Sequence, residues 1–160
     1  MTEKLELPDT SPRYARIAAV RLLSRREHSS QELIQKLQKK GFGLALLESL
    51  AQELREEGYL SDERFAESYT RSRKNRGYGP SRIRQELRQR GTSDDIIAVT
   101  IIDNDVQWME LARNVREKRF GLSEPQNLKE KLKQQQFLQY RGFSQQHMKF
   151  AFSKDPEMVY

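Results

Sequence analysis

Residues 73–91 have the sequence RKNRGYGPSRIRQELRQRG, which predicts a helix together with both of its ends. Pro80 holds φ near the helical value and lacks only an N–H that the first helical turn leaves unpaired, so a helix should begin there. Gly91 is the residue type that most often follows the last turn of a helix. Between them, Ile83 and Leu87 supply an apolar stripe that would face a core.

The same stretch belongs to the most basic part of the chain. Residues 64–91 hold nine Lys or Arg and two Glu, a net charge of +7, whereas the whole chain carries +6. Some of these arginines can be ordinary surface residues, because three pairs have the i,i+4 spacing of helical ion pairs. These pairs are Arg82–Glu86, Glu86–Arg90 and Glu67–Arg71. The basic residues without an acid at that spacing are Arg73, Lys74, Arg76, Arg84 and Arg88. We therefore expect this surface to face a polyanion or an acidic protein.

Composition narrows the class of protein. The 160 residues are 36% hydrophobic and 32% charged, which favours helices with long charged side chains over a modest core. The chain has no Cys, so it offers neither a disulfide framework nor a thiolate metal site. No apolar run approaches the roughly 18 residues of a membrane span, and the first residues lack the hydrophobic centre of a signal peptide. We expect a soluble, cytoplasmic protein.

Helix signals recur along the chain in groups of three. Each predicted helix has an amphipathic stripe, an N-terminal capping residue or a terminal Gly. Ser29 and Glu32 form a possible capping box, in which each side chain would bind the free backbone N–H of the other. The nine predicted helices cover about residues 14–26, 29–41, 44–58, 61–77, 80–91, 92–101, 105–121, 125–141 and 144–152.

These groups form an internal repeat. Two residues four positions apart, followed by a Gly eight positions after the first, recur at intervals of 50 and 51 residues, and all but one of the paired residues are apolar. The three sets are Leu33/Leu37/Gly41, Ile83/Leu87/Gly91 and Gln134/Leu138/Gly142. We therefore predict an all-α protein, an elongated array of three tandem three-helix repeats. The alternative is a single helical bundle, which the departure at Gln134 would favour.

The repeat also predicts the domain boundaries and the distribution of charge. The expected segments are an N-terminal flexible tail (1–12), three repeats (13–60, 61–104 and 105–153) and a C-terminal tail (154–160). Residues 111–160 carry ten bases and five acids, a net +5, whereas residues 92–110 carry five acids and no base. The basic surface should therefore come mainly from the first two helices of the middle repeat and, separately, from the C-terminal repeat.

Signals for catalysis are weak. His28 and His147 are the only histidines, and each lies near a predicted helix start, so we interpret both as surface or capping residues. The chain lacks the zinc-protease, phosphate-loop and nucleophile-elbow motifs. The acids within residues 94–105 could hold a divalent ion, but helix capping and solvation are their commoner uses. We expect no enzyme activity, no cofactor and no metal.

The middle repeat resembles a known family. Residues 58–73, GYLSDERFAESYTRSR, together with residues 73–91, quoted above, resemble the RecX family of bacterial proteins that regulate the RecA recombinase. Residues 29–42, SSQELIQKLQKKGF, and residues 137–144, FLQYRGFS, match the first and third repeats of that family more weakly. The likeness extends over most of the chain.

This resemblance implies a specific function and partner. A RecX protein is a curved array of three three-helix repeats that lies in the helical groove of the RecA filament on single-stranded DNA. There it would restrain filament growth and hinder ATP hydrolysis, strand exchange and the co-protease activity that induces the SOS response, and so affect DNA recombination and DNA repair. The family is non-enzymatic and acts without a cofactor, and it has no motif-defined catalytic residues to transfer.

The basic stretch and the resemblance together predict the binding residues. They would engage acidic filament surface, DNA phosphate or both, and a monomer without membrane contact fits this role. Tyr78 could stack on a base, although packing under its turn is the commoner fate. The predicted site comprises Arg71, Arg73, Lys74, Arg76, Tyr78, Arg82, Arg84, Arg88 and Arg90. Reversal of Arg84 and Arg88 to Glu should abolish inhibition of the RecA ATPase.

Two other functions stay open at this point. A helix-turn-helix-like protein could insert the helix that follows Pro80 into the major groove of duplex DNA, without RecA. Arginine forks suit phosphate and carboxylate alike, so the basic helix does not by itself distinguish DNA from an acidic protein. A phosphoryl-transfer enzyme would need a metal site or a general base that the sequence does not offer.

Overall fold

The computed structural model describes residues 10–154, and all regular structure within them is helical. The helices are α1 (Pro12–Arg25), α2 (Ser30–Lys39), α3 (Leu44–Glu56), α4 (Asp62–Asn75), α5 (Pro80–Gln89), α6 (Asp94–Thr100), α7 (Val106–Phe120), α8 (Leu128–Arg141) and α9 (Gln145–Phe152). The all-α prediction is confirmed. The predicted tails fall largely on residues 1–9 and 155–160, which lie outside the described residues.

Most helix ends lie where local chemistry predicts them. α5 begins at Pro80, and Gly91 beyond its end has φ +82°, in the left-handed region that favours glycine. The predicted capping box at the start of α2 is only half correct. Ser29 Oγ accepts the N–H of Glu32 at 3.1 Å, but the Glu32 carboxylate pairs with Arg26. α8 begins three residues later than Pro125, the start that the sequence predicts, because Asn127 caps it.

The chain packs as two compact units. Unit 1 contains the described residues up to Ala66 together with Arg90–Thr92, and unit 2 contains Glu67–Gln89 and the described residues from Ser93 onward. The core of unit 1 lies between α1, α2 and α3 and consists of Ala15, Ala19, Leu33, Leu37, Phe42, Leu47, Leu50, Ala51, Leu54 and Leu60. Each fully buried Leu contributes about 1.5 to 3 kcal/mol through removal of its side chain from water.

In unit 2 the start of α5 meets the end of α8. The N–H of Gly79 donates to the carbonyl of Arg141 at 2.8 Å, and the N–H of Ser81 donates to the carbonyl of Gly142 at 3.1 Å. The first N–H groups and the last carbonyl groups of a helix have no hydrogen-bond partner inside that helix. Here the N–H groups at the start of α5 bind the free carbonyl groups at the end of α8. Gly142 has φ +99°, and a Cβ on it would lie 2.6 Å from the backbone nitrogen of Arg82. Only glycine permits this approach.

Both histidines are buried; His147 is a capping residue, as expected, but the expectation of a surface or capping role is wrong for His28. His147 is 1% exposed and caps α9, where its Nδ1 accepts the N–H of Ser144 at 3.1 Å. His28 is 2% exposed, with Nδ1 3.0 Å from the carbonyl of Arg26 and Nε2 3.1 Å from Lys36 Nζ. Burial lowers the pKa of His28. The neutral ring can therefore donate from Nδ1 and accept from Lys36.

Two further features bear on function. Within residues 10–154, no helix combines the length and the apolar character needed to cross a membrane. In the same part of the chain, His, Asp and Glu side chains do not gather in groups of three that could hold a metal ion. Asp105, one of the acids considered above, instead caps α7 by accepting the N–H of Gln107.

Candidate anion-binding site

A cleft of about 430 Å³ lies in unit 2 where the C-terminal ends of α4, α7 and α8 converge. We call it the basic cleft. Its cations are Lys74, Arg76, Lys118, Arg119 and Arg141, and none of the described residues that line it is acidic. Asn75 and Asn114 add polar groups, while Val115 and Phe137 supply apolar wall. The arrangement therefore presents five positive charges to whatever enters.

Aromatic rings, rather than carboxylates, position several of these cations. The guanidinium of Arg141 lies 5.0 Å from the ring centroid of Phe137, and its Nη1 donates to the carbonyl of Arg76 at 2.9 Å. Arg119 lies 5.8 Å from the same ring. Lys74 Nζ lies 4.3 Å from the ring centroid of Trp108, which is buried. Cation–π contacts of this kind hold a charged group in place without neutralising it, so its charge stays available to an anion.

The neighbouring arginines have a different role, because they surround Glu86. The Glu86 carboxylate accepts hydrogen bonds from Arg73 Nη2 at 2.7 Å, Arg82 Nε at 3.2 Å and the Tyr69 hydroxyl at 2.7 Å. The ring of Tyr78 lies 3.8 Å from the guanidinium of Arg73 and 4.5 Å from that of Arg82. These five residues form what we call the Glu86 cluster. Tyr78 therefore packs among guanidinium groups.

Hydrogen bonding decides the ionisation state of Glu86. Burial by itself would raise the pKa of Glu86, but the hydrogen bonds from Tyr69, Arg73 and Arg82 outweigh it and the pKa is lowered. In Arg73 burial also opposes the charged form, and the hydrogen bond and charge of Glu86 raise the pKa nonetheless. The Arg73 and Glu86 side chains are 16% and 15% exposed, so this ion pair is mostly shielded from water.

The expectation that Arg73, Arg84 and Arg88 lack acidic partners is wrong. Arg73 pairs with Glu86, Arg84 pairs with Asp103, and Arg88 Nε lies 2.9 Å from Asp94 Oδ1. These partners stand 13, 19 and 6 residues away in sequence, beyond the three or four that helical spacing tests. The predicted Arg82–Glu86 pair is confirmed. The predicted Glu67–Arg71 pair is absent among the described residues.

Comparison with known proteins establishes the family. Family models described as the first, second and third three-helix domains of RecX match residues 15–48, 61–100 and 105–152. The chain belongs to the RecX family. The regulatory protein RecX of Halorhodospira halophila is 48% identical over 136 residues, which cover 85% of this chain and 84% of that protein. The regulatory protein RecX of Vibrio campbellii is 40% identical over 157 residues, 98% of this chain and 99% of that protein.

Solved RecX structures share the fold. The crystal structure of RecX from Lactobacillus salivarius superposes with a TM-score of 0.75 at 23% identity, and the match covers 88% of this chain and 93% of that one. A second crystal structure, of a regulatory protein RecX, gives a TM-score of 0.76 at 26% identity and covers 88% of this chain and 72% of that one. The prediction of three three-helix repeats is confirmed, and so is the resemblance to the RecX family.

The RecX fold does not bring the predicted binding residues together at one place. Lys74 and Arg76 line the basic cleft, and Arg71 is exposed on α4. Arg73, Tyr78 and Arg82 belong to the Glu86 cluster, whereas Arg84 and Arg88 pair with Asp103 and Asp94. Arg90 lies in unit 1, where its carbonyl accepts a hydrogen bond from Ser29 Oγ at 2.6 Å.

Three cations of the cleft are absent from the predicted site: Lys118, Arg119 and Arg141. Their signal was the net +5 charge of residues 111–160, which we expected to form a basic surface separate from that of the middle repeat. That expectation is wrong, because Arg141 binds the carbonyl of Arg76 and both residues line one cleft. The C-terminal repeat therefore completes a site that the middle repeat only begins.

Proposed function

We propose that this RecX-family chain is a non-enzymatic regulator that binds RecA filaments on single-stranded DNA. Its binding would inhibit the RecA ATPase, strand exchange and co-protease activity, in the cytoplasm and as a monomer. The observation that carries the proposal is the basic cleft, whose five cations face no acid among the described residues that line it. A nucleoprotein filament offers both phosphate and carboxylate groups to such a surface.

Affinity would come from several contacts acting together. An exposed ion pair contributes only about 0 to 1 kcal/mol, so a single arginine cannot hold a filament. Five cations in one cleft act as linked sites whose contributions combine. Arg71, which is exposed on α4, could extend the surface.

The helix-turn-helix alternative has less support. It requires α5 to enter a major groove and present its arginines to base edges. Arg82 is instead held by Glu86, and Arg84 and Arg88 are paired with Asp103 and Asp94. Guanidinium groups that are already paired with carboxylates are poorly placed to hydrogen-bond to base edges. We therefore favour the filament over duplex DNA as the target.

Cosedimentation tests this function. The purified chain is mixed with RecA filaments assembled on single-stranded DNA, and RecA ATP hydrolysis is followed in the same samples. We expect the chain to pellet with the filaments and ATP hydrolysis to fall as its concentration rises. Sequence-specific binding to duplex DNA without RecA, combined with unchanged ATP hydrolysis, would contradict the proposal and support the alternative.

A further inference from the structure

We infer that the basic cleft binds the phosphodiester backbone of a single nucleic-acid strand and does not recognise the bases. The inference rests on the proposed function, because it names the component of the filament that the cleft contacts. The alternative component is acidic protein surface. Three features favour the strand. They are the net positive charge of the cleft, the contacts that already cover its aromatic side chain, and the helical backbone that lines it.

The net charge of the cleft decides that its ligand is an anion. The ends of α4, α7 and α8 line it, and each helix C-terminus carries about half a negative charge, roughly −1.5 in all. Against this stand the five full positive charges of its side chains. The side chains therefore outweigh the helix ends, and anion binding must depend on them. Reversal of cleft cations should consequently weaken binding strongly.

The aromatic wall of the cleft is already occupied, which argues against base recognition. Phe137 packs edge-on against Phe120, with the ring centroids 5.3 Å apart and the planes at 88°. Arg119 and Arg141 lie 5.8 and 5.0 Å from its centroid. Single-strand-binding proteins that contact bases do so by stacking them on accessible aromatic faces. Phe137 is the one aromatic residue among the described lining residues, so with its ring engaged in this way the cleft offers a base no free aromatic face.

The shape of the cleft favours a single strand. Its volume of about 430 Å³ is that of a ligand pocket, which a single backbone can enter and a duplex cannot. Extended peptides commonly add to a free sheet edge and amphipathic helices enter apolar grooves, whereas arginine clusters also bind acidic motifs through charge, so competition by polyglutamate separates that case from the strand. The described lining residues lie on helices or the turn after α4, and nearly half of them are cations. Phosphate is the ligand that this lining suits.

Fluorescence anisotropy with a labelled thymidine oligonucleotide tests the inference in the absence of RecA. The test variant is Lys118→Glu with Arg119→Glu, in the last turn of α7. The matched control is Lys39→Glu with Lys40→Glu, which are exposed at the end of α2 in unit 1. Both variants change net charge equally and place acids at a helix C-terminus, so dipole effects are matched. We expect at least about a tenfold loss of affinity in the cleft variant and less than about a twofold loss in the control.

Two further measurements test the same inference, the salt dependence of strand binding and binding with other polymers. Five phosphate contacts predict a log–log salt slope of about −3.5 for a single strand, and the cleft variant should lower it to about −2. An abasic strand of equal length should bind as well as the thymidine strand, and polyglutamate should not compete. Equal losses in both variants, failure of the abasic strand to bind or effective competition by polyglutamate would each overturn the inference.

The inference and the proposed function can fail separately. A chain that inhibits RecA but does not bind the naked strand at low salt refutes the inference and leaves the function standing. A chain that binds the strand but leaves RecA unaffected supports the inference and refutes the proposed function. Helical circular dichroism accompanies every variant, and if the double reversal does not fold, Lys118→Gln and Arg119→Gln replace it. If each of these folded variants binds the strand as tightly as the unmodified chain, the inference is wrong.

Discussion

Arg141 Nη1 donates a hydrogen bond to the backbone carbonyl of Arg76 across 2.9 Å. This contact joins the last residue of α8 to the turn after α4, and it places the Arg141 guanidinium 4.9 Å from the ring of Tyr78. Arg141 therefore lines the basic cleft and also lies beside Tyr78 of the Glu86 cluster. Its geometry, and not only its charge, should matter.

Arg141→Lys tests that geometry. Lysine keeps the positive charge but lacks the planar fork that can bond a carbonyl while stacking on a ring. We expect the variant to lose about 1 kcal/mol of unfolding free energy, the usual value of one such hydrogen bond. Urea denaturation measures it. Arg71→Lys, at an exposed position without an ion pair among the described residues, is the control and should be neutral; equal losses would contradict the structural role of Arg141.

The Glu86 cluster predicts a pH dependence of stability. The folded-state pKa of Glu86 is lowered, so the folded form holds its proton less tightly than the unfolded form does. The resulting stabilisation is present above the unfolded pKa and is lost as pH falls through the folded pKa. We expect Glu86→Gln to be less stable at neutral pH by about 1 to 3 kcal/mol and to lose less stability on acidification below about pH 5.

Denaturant titrations at several pH values measure this difference. Glu67→Gln is the control, because Glu67 is exposed on α4 and has no ion pair among the described residues. Its acid dependence should match that of the unmodified chain. If Glu86→Gln and Glu67→Gln have the same pH profile, hydrogen bonding does not hold Glu86 ionised.

Two repeat glycines should differ in their tolerance of alanine. Gly41 and Gly142 have φ +101° and +99°, so alanine at either costs about 1 to 2 kcal/mol in the left-handed region. At Gly41 the nearest atom to an added Cβ is 3.9 Å away, whereas at Gly142 the backbone nitrogen of Arg82 would be 2.6 Å away. We expect Gly142→Ala to cost about 1 to 3 kcal/mol more than Gly41→Ala. Thermal denaturation checks this, and equal costs would refute the close approach of α8 to α5.

Neutralising the arginines of α5 should matter less than neutralising the cleft. Arg84 and Arg88 already face Asp103 and Asp94, so a filament anion must displace a carboxylate to reach them. We expect Arg84→Gln with Arg88→Gln to weaken inhibition of the RecA ATPase less than about threefold, against about tenfold for Lys118→Gln with Arg119→Gln. The reverse order would place the main binding surface on α5, which the sequence predicts to be one part of the site.

Local signals explain what the sequence predicted well. Pro80 and Gly91 define the bounds of α5 through backbone preferences that need no tertiary information. The spaced sets of apolar residues and glycines predicted three similar helical groups for the same reason. The start of α8 was misplaced because Asn127, rather than Pro125, caps it.

Tertiary contacts explain what the sequence could not predict. Arg73 finds Glu86 on another helix, and a search at helical spacing cannot detect that pair. The basic cleft likewise depends on the packing of α8 against the turn after α4, which brings Arg141 to Arg76 across 65 residues of sequence. Charge counts placed cations in both regions, but only the fold shows that they share a site.

The most direct test of the basic cleft is a titration of RecA ATP hydrolysis on single-stranded DNA with three forms of the chain. These are the unmodified chain, Lys118→Glu with Arg119→Glu, and Lys39→Glu with Lys40→Glu. We predict strong inhibition by the first and third forms and at least about a tenfold weaker effect of the second, with helical circular dichroism unchanged in all three. Equal inhibition by the cleft variant and its control would contradict the assignment of filament binding to the cleft.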